Sequence, residues 1–231
     1  MGTLIWDFDG TLGYRRGGMF SASLVEVVQR VDPEAAVTQD HIRPYLQSGY
    51  PWDMYELPHL EIQSPEQWWE RLYPVFERAF EGIGFGASQA RSMAKEARAV
   101  YTDLERWALF DDVIPTLDLL ASKGWRHVIL SNHVPELGDI VRYLGLEARV
   151  ARVFNSAETG YEKPHSEAFR IVFENSPDSE AFWMIGDNVS ADVAGARSVG
   201  IPGILVRKYH EDAEYYAQDL FQVPAIVCEG A

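Results

Sequence analysis

Hydrophobic and polar positions change their spacing in blocks along this chain. Residues 4–6 (Leu-Ile-Trp) form a short apolar run that stops at Asp7, Asp9 and Gly10, the pattern of a buried strand with an abrupt end. From about 21 to 103 the spacing becomes helical. Leu24, Val25, Val27, Val28 and Val31 make one apolar stripe, and Trp68, Trp69, Leu72, Val75, Phe76 and Phe80 make another. Ser64-Pro65-Glu66-Gln67 opens the second helix, with Ser64 as N-cap, Pro65 at the first helical position and Gln67 closing a capping box. Gly82 or Gly84 ends it, and a further helix runs from about 88 to 101. A short helix is expected at 41–47, with Pro44 counting against it. Residues 13–18, with three glycines, and 49–64, with Pro51 and Pro58, are expected to be loops.

From about 107 onward, short apolar runs alternate with helical stripes. Helices are expected at 113–122, 135–143, 166–174 and 191–199, and strands at 126–130, 150–155, 181–185 and 203–206. The tail adds a helix near 211–220 and a short strand at 225–227. This alternation predicts an α/β fold, a doubly wound parallel sheet covered by helices on both faces. The strand at 4–6 belongs to that sheet, so the helical stretch is an insertion. The expected organisation is a discontinuous core of residues 1–13 and 105–231 and a helical domain of residues 14–104.

Composition narrows the function. The chain has 231 residues, 47% hydrophobic and 13% aromatic, ample for a sizeable core. Its net charge of -15, from 20 Lys+Arg against 35 Asp+Glu, disfavours nucleic acid and anionic membranes as partners. Any anion-binding pocket must then be made locally positive. The single cysteine, Cys228, excludes an intrachain disulfide and fits a reducing compartment. No signal-peptide pattern and no uninterrupted apolar run of about 20 residues is present, so a cytoplasmic protein is expected. Oligomeric state is not encoded in any pattern here.

In open parallel sheets, ligands bind at the carboxyl ends of the strands. The strand at 4–6 ends in Asp7 and Asp9, whose alternate positions put both carboxylates on one side. Two such groups repel unless a proton or cation lies between them. Later strands end in Ser131-Asn132-His133 and Gly186-Asp187, the latter followed by Asp192, and the strand at 150–155 leads on to Lys163-Pro164. A hydroxyl, a lysine and several carboxylates therefore gather at one edge.

The string Asp7-Phe8-Asp9-Gly10-Thr11-Leu12 resembles the first motif of the haloacid dehalogenase-like (HAD) phosphohydrolase superfamily. Ser131-Asn132 resembles its second motif, Lys163-Pro164 its third, and Gly186-Asp187 with Asp192 its fourth. The helical stretch between the first two motifs is similar to a C1-type cap. Two departures are visible: His165-Ser166 follows Lys163-Pro164 where many relatives have Asp-Pro, and His133 stands where the family varies.

The resemblance implies that Asp7 is the nucleophile and Asp9 the general acid/base. Ser131, Asn132 and Lys163 would hold the phosphoryl group. Mg²⁺ would be bound by Asp7, Asp187 and the Asp9 backbone carbonyl, with Asp192 in support. The implied activity is Mg²⁺-dependent hydrolysis of a small phosphorylated metabolite through an aspartyl-phosphate. A phosphomutase of the β-phosphoglucomutase type and a non-catalytic binding module keeping the fold are the alternatives. A 2-haloacid dehalogenase is disfavoured, because Asp9 sits where those enzymes lack the acid. The charge balance adds Arg15 and Arg16 as candidate substrate contacts, since an anion approaching this acidic chain needs local cations.

Overall fold

In the computed structural model, which describes residues 2–229, the apolar runs become strands and their alternation sets the layers. The strands are β1 (Gly2–Trp6), β2 (Gly13–Arg15), β3 (Trp107–Leu109), β4 (Arg126–Ser131), β5 (Arg152–Asn155), β6 (Ala181–Gly186), β7 (Gly203–Val206) and β8 (Tyr215–Ala217). Six of them form one sheet in the order β5-β4-β1-β6-β7-β8, and every pairing within it is parallel. Chain order runs outward from β1 in both directions, so the topological switch lies at β1 and β6. This is the doubly wound α/β fold.

Strand geometry sends successive side chains to opposite faces. Leu4, Trp6, Ile129 and Ile185 pack into one apolar cluster, whereas Ile5, Val128, Leu130 and Met184 pack into the other with Phe169 and Val172. Helices Val113–Ser122 and Ser166–Glu174 occupy the expected positions. The expected helix at 191–199 is a π-helical stretch, Val189–Ala194, followed by a short α-helix, Gly195–Ser198.

Between β2 and β3 the chain is helical. Phe20–Val31, Pro65–Gly82 and Ala87–Tyr101 bury Phe20, Trp68, Trp69, Phe76 and Tyr101 among themselves. Ser64 accepts the Gln67 N–H at 3.2 Å, but the Gln67 amide turns to the N–H of Gln63 at 2.7 Å. The expected capping box is therefore shifted by one residue. The weak helix is a single turn, Gln39–Ile42, continued as a 3₁₀ turn through Pro44. Among the described residues no helix is long and apolar enough to cross a membrane.

Three further local expectations fail. The presumed loop at 13–18 begins as β2, which pairs antiparallel with β3. In the tail, the expected helix is replaced by β8, paired with β7, and the expected strand lies within helix Val223–Glu229. Tyr215 and Tyr216 are strand-favouring residues that find the open edge of β7. Leu220, Val223 and Val227, at helical spacing, are all buried on one face.

Candidate active site

The end of β1 fixes the first pair of carboxylates. The Asp7 N–H still bonds to the Ile185 carbonyl at 2.8 Å, and the chain then turns away at Gly10 with φ 73°. A side chain at Gly10 would strike the Asp187 carboxylate, so glycine lets the two loops meet. Arg207, at the end of β7, clamps this turn from behind. Its Nη2 donates to the Thr11 carbonyl at 2.9 Å and to Asp112 at 2.7 Å, while its guanidinium lies 3.7 Å from the Phe110 ring centre.

Asp7 is nearly buried, and its Oδ1 accepts two donors, Ser131 Oγ at 2.9 Å and Lys163 Nζ at 2.8 Å. The same ammonium donates to Asp192 Oδ1 at 2.5 Å. Asp192 Oδ2 in turn accepts the Asn188 N–H at 3.0 Å, and Gly186 leaves room for the carboxylate above it. Asn132 spends its amide on the backbone of Lys163, accepting its N–H at 2.7 Å and donating to its carbonyl at 2.8 Å. The loop carrying Lys163 is thereby tied to the end of β4.

Burial works against the Lys163 charge, but Asp192 and Asp7 outweigh it and hold the ammonium protonated. Burial pushes Asp192 up from the usual carboxylate range, with Asp7 adding to the push and Lys163 opposing it. Asp187 is also raised, first by burial and then by Asp7, against the pull of Lys208, which it contacts directly.

Asp9 differs from its neighbours. Its Oδ1 is buried without a hydrogen-bond partner, and its Oδ2 lies 3.5 Å from His133 Nε2. His133 is enclosed by the rings of Phe8 and Trp107 at 5.7 and 5.3 Å. Burial would depress its pKa, but Asp9, the Val134 carbonyl and Asp7 together raise it.

A cavity of about 470 Å³ opens over this cluster, lined by Asp7, Asp9, Asn132, Lys163, Asp187 and Asp192. Ser131 reaches it through Asp7. Oxygens of Asp7, Asp187 and Asp192 all lie within 4.8 Å of one another. Oxygens on opposite sides of a Mg²⁺ ion are about 4 Å apart. Two ammonium groups, Lys163 and Lys208, reach these three carboxylates. Three carboxylates clustered this closely are hard oxygen donors that fit a divalent cation.

Arg15 and Arg16 are not brought to the cavity. Arg15 is buried and donates to the carbonyls of Val100 at 2.9 Å, Tyr101 at 3.3 Å and Gly18 at 2.9 Å, and to Glu26 at 3.1 Å. It thus caps the C-terminus of helix Ala87–Tyr101, where orphan carbonyls and the helix dipole favour a cation. Arg16 donates to the Glu105 carbonyl at 3.1 Å. No pattern in the sequence points to Arg207 and Asp112, or to Trp52 and Tyr55, which line the cavity together with Pro164, Asn188, Ser190 and Ala191.

Comparison with known proteins places these features among similar ones. The model of one family, haloacid dehalogenase-like hydrolase, matches residues 1–200. A phosphoserine phosphatase of Thermus thermophilus is 30% identical over 161 residues, 67% of this chain and 61% of that protein. The match therefore spans less than two thirds of that relative. Among solved structures, the HAD-hydrolase YfnB of Bacillus subtilis, bound to magnesium, superposes with a TM-score of 0.71 at 20% identity, covering 98% of both chains. L-2-haloacid dehalogenase of Xanthobacter autotrophicus gives 0.69 at 18% identity over 100% of both.

Proposed function

Because this chain belongs to the haloacid dehalogenase-like hydrolase family, we propose that it is a Mg²⁺-dependent phosphatase hydrolysing a small phosphorylated metabolite through an aspartyl-phosphate intermediate. One observation carries the reading: Ser131 and Lys163 converge on a single oxygen of Asp7, while Asp9 keeps a buried oxygen without a partner. The two carboxylates are thereby fitted for different tasks. The same asymmetry favours phosphatase over dehalogenase chemistry, although solved dehalogenases share the fold.

Asp7, held by its Oδ1, presents its other oxygen to phosphorus. A bond forms from that oxygen to phosphorus as the bond to the leaving oxygen breaks, and Asp9 gives the leaving oxygen a proton. Asp9, now a carboxylate, takes a proton from water. The resulting hydroxide attacks phosphorus, releases phosphate and regenerates Asp7. Lys163 and Ser131 donate to phosphoryl oxygens and stabilise the charge they carry in transit. Asn132 holds the Lys163 backbone in place for this. A Mg²⁺ ion held by Asp7, Asp187 and the Asp9 carbonyl, with Asp192 in support, would neutralise phosphoryl charge. In this proposal residues 1–13 and 105–231 are the catalytic core of a cytoplasmic enzyme, and residues 14–104 its helical cap.

The test is turnover of p-nitrophenyl phosphate and an alkyl phosphate, with Mg²⁺ and with EDTA. Asp7→Asn abolishes both activities. Asp9→Asn loses more on the alkyl phosphate, whose poor leaving group needs a proton. Substantial turnover by Asp7→Asn, or equal losses in Asp9→Asn, would remove these roles.

A further inference from the structure

The cavity has two unlike halves. Its floor is the acidic cluster; one side of its wall comes from the segment joining the first two long helices, which presents Trp52 and Tyr55, and the other from Pro164, Asn188, Ser190 and Ala191. Trp52 lies in the 3₁₀ turn Pro51–Met54. Tyr50 stacks on its indole at 4.8 Å and 7°, and Phe20 continues the stack 5.6 Å from Tyr50. The segment is pinned at both ends. Asp53 accepts the N–H groups of Gly49 and Tyr50 at 2.7 and 2.9 Å. His59 donates its N–H to the Gly160 carbonyl on the sheet domain at 2.7 Å, and its Nε2 lies 3.0 Å from the Pro51 carbonyl. The indole is therefore positioned before any ligand arrives, and binding to it needs little further ordering.

The wall is also selective by charge. Among the described residues that line the cavity, Lys163 is the only cation, and it is already shared by Asp7 and Asp192. Lys208 at the rim is engaged by Asp187. Arg15 and Arg16 are spent elsewhere. Next to Trp52 in the chain, the Asp53 carboxylate is taken up by the N–H groups of Gly49 and Tyr50. A second phosphate or a carboxylate on the substrate would meet no cation on this part of the wall, only the two aromatic side chains. A flat uncharged ring would meet an indole whose other face is already packed.

Resting on the phosphatase reading, we propose that the substrate is a phosphate monoester whose alcohol half carries an uncharged aromatic or heteroaromatic ring. The ring stacks on Trp52 beside Tyr55, and the molecule carries no second phosphate and no carboxylate. A nucleoside monophosphate and an arylalkyl phosphate share that chemistry.

The experiment measures kcat/KM with Mg²⁺ for uridine 5′-monophosphate, benzyl phosphate, glycerol 3-phosphate and O-phosphoserine. All four have alkyl leaving groups, so differences report the rest of the molecule. At least one ring-bearing ester is expected to exceed glycerol 3-phosphate and O-phosphoserine by about tenfold, the range of a stacking contact. A higher value for the uridine ester assigns the ring to a nucleoside, and the reverse assigns it to an aryl group. Trp52→Ala lowers the ratio of the better ring ester to glycerol 3-phosphate by about tenfold, through KM, and Trp52→Phe keeps most of it. The ratio is read within one preparation, so partial misfolding does not move it. No ring preference, an unchanged ratio in Trp52→Ala, or preference for O-phosphoserine overturns the inference and leaves the phosphatase reading standing. No hydrolysis of any ester, or of p-nitrophenyl phosphate, overturns both.

Discussion

Glu162 stands next to Lys163 in the loop below the cavity, 1% exposed, and its Oε2 has no hydrogen-bond partner. Burial pushes its carboxyl up from 4.5 to about 7, against the opposing influence of Ser156 and Lys163. A carboxyl whose pKa is higher in the folded chain binds its proton more tightly there. Its contribution to stability is full below pH 4.5 and is lost as the pH rises, with the loss complete above about 7. That gap corresponds to about 3 kcal/mol over the whole window, and to about 2 kcal/mol between pH 5.5 and pH 8. Glu162→Gln keeps the shape and removes the titration. Urea unfolding of both proteins at the two pH values isolates the effect, because all other groups cancel in the difference. With a slope of about 3 kcal/mol/M, the wild-type midpoint should fall about 0.7 M further than that of the variant. Parallel pH dependence in the two proteins would refute the argument.

Lys163→Met leaves Asp7 and Asp192 buried without their shared ammonium, so stability should fall by about 3–5 kcal/mol in urea unfolding. Adding Asp192→Asn should regain part of it, and strict additivity of the two changes would count against the pairing. Arg15→Ala should cost about 3 kcal/mol of stability through its lost charged hydrogen bonds while leaving KM unmoved; a raised KM at unchanged stability would return Arg15 to the substrate. Gly10→Ala forces a side chain into the Asp187 carboxylate at positive φ, so half-maximal activity should need more Mg²⁺. An unchanged Mg²⁺ titration would show that the loops can part without consequence.

What the sequence could reveal followed from locality. The strands at 4–6, 126–130, 181–185 and 203–206 are self-contained apolar runs, and a parallel sheet places their ends on one edge. Asp7, Ser131 and Asp187 follow such ends directly, and Asp192 lies a few residues beyond one. Their meeting is therefore legible in the sequence. Arg15 is not, because its acceptors at Val100 and Tyr101 lie 85 and 86 residues away. The tail departs from its local pattern for a similar reason: Tyr215 and Tyr216 become a strand because β7 offers an edge. Trp52 and Tyr55 sit in an aperiodic stretch between prolines, and what places Trp52 is a stack with Tyr50 and Phe20 that no spacing announces.

The ribbon of β2 and β3 has a topological consequence. The chain leaves the sheet domain for the helices through β2 and returns through β3, and these crossings are rungs of one ladder, with Gly13 opposite Leu109 and Arg15 opposite Trp107. Opposed residues in such a ladder are only about 5 Å apart. To the sheet, everything between Arg15 and Trp107 is one enlarged hairpin loop. A two-residue turn could span the same gap, so the helices could be lengthened, exchanged or deleted without breaking the path of the central strands. The ladder also couples the two crossings mechanically: a swing of the helices against the cavity must bend or twist the ribbon as a single stem and part the His59–Gly160 hydrogen bond.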